Sequence, residues 1–71
     1  MEVLTGKIYR HYKGKEYLVL AIATHSETLE KYVVYQALYG DHSTWIRPYE
    51  MFCQTVVVEG KEQPRFARVS E

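Results

Sequence analysis

The chain has a single cysteine, Cys53, which excludes an intrachain disulfide and fits a reducing compartment. It also lacks a long apolar run: none approaches the roughly 20 residues that cross a bilayer as a helix. Met1-Glu2-Val3-Leu4-Thr5 shows no basic stretch leading into an apolar one. The expectation is a cytoplasmic protein that does not engage membranes. An excess of charge of one sign is missing as well. Nine Lys and Arg balance nine Asp and Glu, for a formal net charge of zero. That removes a general electrostatic pull toward nucleic acid, leaves room for local patches, and does little to oppose self-association. We therefore expect a monomer or a weak homo-oligomer. Repeats, low-complexity tracts and linkers are absent, so residues 1–71 are expected to form one domain.

Metal chemistry lacks its usual spacing. His11, His25, His42 and Cys53 are scattered, and no two of them stand the few residues apart that zinc ligands favour. No metal and no other cofactor is expected. Cys53 follows Phe52 and reads as a small buried hydrophobe.

With neither disulfide nor metal, so short a chain must hold together by its core, which hides only about 60% of the unfolded surface at this size. What is present in quantity is aromatic: seven Tyr, two Phe and Trp45. Each ring buries much area at a small entropic cost.

Gly6, Gly14, Gly40 and Gly60 separate runs rich in β-branched and aromatic residues. Strands are expected at 7–12, 16–24, 31–39, 44–47, 54–59 and 65–69, with Pro48 closing the fourth and a helical turn at 49–53. In the longest run, Leu18, Leu20 and Ile22 oppose Tyr17, Val19 and Ala21. Leu18, Leu20, Ile22, Val34 and Phe52 are the expected core. Thr24 and Glu27 have capping-box spacing, so 24–30 reads as a loop carrying one turn. The sum is an all-β barrel of about five or six short strands.

Three clusters carry chemistry. His25-Ser26-Glu27-Thr28 sets a base beside a hydroxyl and a carboxylate, as a small enzyme would need. Catalytic groups, however, usually converge from separate elements, and no nucleophile elbow surrounds Ser26. Turn formation is the better reading, and no catalytic residue is assigned. Tyr9-Arg10-His11-Tyr12-Lys13-Gly14-Lys15 interleaves rings and cations as single-strand platforms do, though an edge strand kept soluble by charge gives the same pattern. Trp45-Ile46-Arg47-Pro48 and Pro64-Arg65-Phe66 place an arginine beside rings, suited to a carboxylate or phosphate or to locking loops together.

Gly6-Lys7-Ile8-Tyr9-Arg10-His11-Tyr12-Lys13-Gly14, His25-Ser26-Glu27-Thr28, Val33-Val34-Tyr35, Leu38-Tyr39-Gly40, Trp45-Ile46-Arg47-Pro48, Met51-Phe52 and Pro64-Arg65-Phe66 occur in this order in a family of short bacterial proteins. The chain resembles domain-of-unknown-function family 1653 from Gly6 to Phe66. The resemblance implies a small SH3-like β-barrel with no established activity, and it brings no site residues.

The leading expectation is a non-enzymatic binding module with an aromatic and arginine-lined groove. His25, Glu27, Tyr35, Trp45, Arg47 and Arg65 are its candidate residues, with His25 and Glu27 expected near Arg47. The partner is a small ligand, a peptide or a nucleic acid. An enzyme using His25, Ser26 and Glu27, or a structural subunit of a larger assembly, is the alternative.

Overall fold

The computed structural model describes residues 2–69. The chain is nearly all β: β1 (Ile8–His11), β2 (Glu16–Thr24), β3 (Lys31–Ala37), β4 (Thr44–Pro48), the helical turn α1 (Tyr49–Phe52), β5 (Thr55–Val58), β6 (Lys61–Pro64) and β7 (Phe66–Arg68). Five strands form an antiparallel sheet in the order β4-β3-β2-β1-β7, while β5 and β6 form a separate hairpin. The seventh strand beyond the expected set is β6. Lys61-Glu62-Gln63-Pro64 has no apolar alternation and is exposed throughout, so only backbone pairing to β5 makes it a strand. Its turn, Glu59-Gly60, has φ of 52° and 78°, the doubly left-handed geometry of a tight hairpin, which glycine accepts readily.

The core face of the sheet is set by a bulge. Val19 lies opposite Tyr35, but Ala21 lies opposite Val34, so Leu20 is an extra residue on β2. Before it, Tyr17 and Val19 face inward; after it, Ile22 does. The alternation therefore changes phase within one strand, and the expected core needs correcting. Leu20 is 44% exposed, while Phe52 is fully buried. Leu18, Ile22 and Val34 are half-buried. The observed core is Val3, Tyr9, Val19, Val33, Tyr35, Phe52 and Phe66, with Ala37 also buried.

Aromatic packing dominates that core. Phe52 from α1 stacks on Phe66 of β7 with centroids 4.0 Å apart and planes at 4°. Tyr9 and Tyr35 meet Phe52 edge-on at 5.6 and 5.5 Å. Two tyrosine hydroxyls are satisfied by the segment before β1. Val3 N–H donates to Tyr49 Oη and Leu4 N–H to Tyr9 Oη, both at 2.9 Å. This ties the segment over the core and explains why Val3 is buried without being in a strand. No helix among the described residues is long and apolar enough to cross a membrane.

Candidate functional site

Arg47 lies opposite Val33, and Trp45 opposite Tyr35, across the β3–β4 ladder. Cross-strand neighbours share a face, so both side chains lie on the core side of the sheet. Because β4 is the outer strand, that side is a rim there: Trp45 is 53% exposed and Arg47 half-buried. Arg47 Nε donates to Tyr35 Oη at 3.3 Å, and its guanidinium carbon stands 5.6 Å from the Phe66 ring centre.

Rings extend the rim toward the β1–β2 turn. Tyr17 packs edge-on against Tyr35 and Phe66 at 5.3 and 5.8 Å. Its hydroxyl shares a 2.7 Å hydrogen bond with that of Tyr39. Burial, then this bond, pushes the Tyr17 phenol up to about 12. Lys15 Nζ sits 4.4 Å over the Tyr39 ring.

On the β1 side, His11 meets Phe66 edge-on at 4.9 Å and accepts the Lys13 N–H on Nδ1 at 3.2 Å. The turn that allows this uses Gly14 at φ 106°, and its N–H donates to the His11 carbonyl at 2.7 Å. Burial, then Arg47, Arg65 and Lys13, hold the His11 imidazole below its ordinary pKa. Arg65 Nε is shielded from solvent and has no hydrogen-bond partner among the described residues.

Arg47, Arg65 and Lys13 thus stand within electrostatic reach of His11, and two nearby carboxylates, Glu16 and Asp41, are otherwise engaged. Glu16 pairs with Arg10 at 2.7 Å. Asp41 accepts from the N–H and hydroxyl of Ser43, which holds its carboxyl below the usual range. An open groove of about 440 Å³ adjoins at His11 and Tyr12, lined also by Arg10, Arg68, Gln63 and Pro64.

The structure joins Tyr35 to Arg47, sets Trp45 opposite Tyr35, and brings Arg47 and Arg65 within electrostatic reach of His11. His25 and Glu27 lie elsewhere, in the exposed β2–β3 loop. His25 Nδ1 accepts the N–H groups of Glu27 and Thr28, both at 3.2 Å, and its ring contact is Tyr32 at 6.1 Å. None of these contacts reaches Arg47. The Ser26 and Glu27 side chains make no hydrogen bond to His25, which serves as the acceptor of a turn. Among the described residues no three His, Cys, Asp or Glu side chains converge as metal ligands do.

The sequence sets His11 and Lys15 in a run of interleaved rings and cations, but it marks Tyr17 only as a strand residue and Tyr39 only beside a turn glycine, and it assigns neither to the site. The signal was present in the alternation. Tyr17 shares its face with Ala37 and Tyr9, and Trp45 and Arg47, two apart on β4, share theirs with Val33 and Tyr35.

No curated protein matches the chain. A crystal structure of a DUF1653 protein from Bordetella bronchiseptica is similar to it, with 40% identity and a TM-score of 0.83 over 93% of this chain and 87% of that one. A family described as protein of unknown function, DUF1653, matches residues 7–68. The chain belongs to that DUF1653 family.

Proposed function

We propose that the chain is a non-enzymatic binding module of the bacterial cytoplasm, an SH3-like barrel whose Arg47 rim takes an anionic ligand bearing a flat ring. Four meander strands, a helical turn after β4, and a last strand returning to β1 support the SH3-like reading. The observation that carries the function is that Arg47 and His11 meet at Phe66, with Arg65 within electrostatic reach of His11 and no carboxylate among the described residues pairing with any of the three. In a chain of zero net charge, two arginines near one imidazole with no counter-ion among the described residues lack the group that would offset their repulsion. A phosphate between Arg47 and Arg65 supplies it, and exposed Trp45 and Tyr39 offer faces on which a base stacks. A nucleotide or single-stranded nucleic acid fits this description.

Quenching of Trp45, the chain's one tryptophan, by a short oligothymidylate tests the reading. Saturable quenching that weakens with salt, and weakens about tenfold in Arg47→Ala or Arg65→Ala, supports it. Saturation by an acidic peptide but not by the oligonucleotide replaces the ligand class. No saturable response to either overturns the proposal.

A further inference from the structure

We propose that two copies of the chain join through β4, antiparallel about a two-fold axis at Ile46, so that each copy's Trp45 stands beside the other's Arg47. β4 ends the sheet order, so one side of it pairs with β3 and the other faces outward. Ala37 N–H donates to the Ser43 carbonyl at 2.9 Å, one step beyond the Gln36–Thr44 register pair. Bonded pairs recur at every second residue of an antiparallel ladder, so Trp45 and Arg47 turn their backbone groups toward β3. The N–H and C=O of Thr44 and Ile46, and the C=O of Pro48, therefore face outward. Pro48, with no N–H, stands at an outward position where β3 requires no donor from it.

That edge is its own complement. With the axis at Ile46, the two Ile46 residues exchange both backbone hydrogen bonds. Thr44 N–H meets the second copy's Pro48 carbonyl, and two copies make that bond twice. Trp45 then falls opposite the second copy's Arg47 on the same face, at the closer, non-bonded spacing, where indole and guanidinium attract. Ile46 is 65% exposed and meets its equal. Natural edges are blunted by lysine, proline or a bulge; β4 carries no lysine or bulge, its proline stands at its very end, and its one charge, Arg47, is held against Tyr35 and Phe66. Zero net charge adds no repulsion between copies. An extended peptide also adds to an open edge. The pairing of cation with ring and of isoleucine with isoleucine, however, is written into β4 itself.

The second copy thus contributes Trp45 to each rim, yet the pairing needs no ligand and is tested without one. Sedimentation velocity of the chain alone, from micromolar to millimolar concentration, should show a reversible shift to twice the monomer mass. Ile46→Lys sets two lysines against each other at the axis and should weaken association about tenfold or more while leaving circular dichroism and melting unchanged. Thr44→Pro, which deletes an outward N–H, should weaken it independently should the lysine variant misfold. A chain that stays monomeric at millimolar concentration overturns the proposal, as does a dimer indifferent to both substitutions. Capture of extended peptides by a strictly monomeric chain also overturns it, in favour of the other occupant.

Discussion

Arg47 reaches across one ladder step to donate to Tyr35 Oη at 3.3 Å, which holds its guanidinium 5.6 Å from the Phe66 ring centre. The bond is long and the arginine half-buried, so Arg47 is neither a freely solvated charge nor a sealed tie. Arg47→Ala should cost about 1–2 kcal/mol, the sum of one hydrogen bond from a charged donor and a partly solvated cation–ring contact. At roughly 4–8 °C per kcal/mol for a domain this small, calorimetry should show a fall of about 5–15 °C. A far larger loss would mark Arg47 as purely structural.

The bulge at Leu20 makes a contrast within one strand. Val19→Ala removes fully buried volume and should destabilise by about 1.5–3 kcal/mol. Leu20→Ala, at a residue 44% exposed, should cost under about 1 kcal/mol despite deleting more carbon. Urea melts of the two variants check it. The reverse order would mean the phase of β2 is not broken there.

Much of this architecture was legible in the chain. The bounds of β2, 16–24, follow from its apolar run, and Pro48 marks the end of β4. The bulge was not legible, because a strand apolar on both faces reads equally well in either phase until its partner's register is known. β6 was hidden for the opposite reason: a strand that buries nothing leaves no hydrophobic pattern. In the site, Tyr35, Trp45 and Arg47 emerged from residue type plus alternation. The place of His25 and Glu27 at the end of β2 suggests that they meet Arg47, but their loop turns back on itself and satisfies its own backbone. Tyr39 enters through a hydroxyl pair with Tyr17, 22 positions away, a contact no local pattern announces.

His11 gives the fold an acid dependence. Burial and nearby cations lower its folded-state pKa below 6.5, so below that pH the unfolded chain binds more protons. Stability is full above pH 6.5 and falls as pH drops through the window down to the folded value. His11→Asn, which keeps an acceptor for the Lys13 N–H, should flatten that limb of a plot of melting temperature against pH. An unchanged slope would assign the acid sensitivity to other groups.

Leu29 is held at φ 64° in the β2–β3 loop while 72% exposed. A bulky residue in the left-handed region carries about 1–2 kcal/mol of strain, and so exposed a side chain recovers little by burial. Leu29→Gly relieves the strain but adds freedom to the unfolded chain, leaving a net gain of about 0.5–1 kcal/mol. Thermal melts should move upward by a few degrees. A drop would mean that the Leu29 side chain makes contacts worth more than its backbone strain.

The anion-binding reading of the rim is tested most directly by the pKa of His11, followed by NMR of its imidazole with and without saturating oligothymidylate. Burial, then Arg47 and Arg65, hold that pKa down in the free chain. A phosphate seated between them screens both cations and adds a negative charge, so the account predicts a rise on binding, and a smaller one in Arg47→Ala. An imidazole that titrates identically in the free and saturated protein would place any bound anion away from Arg47, Arg65 and His11, and would contradict the account.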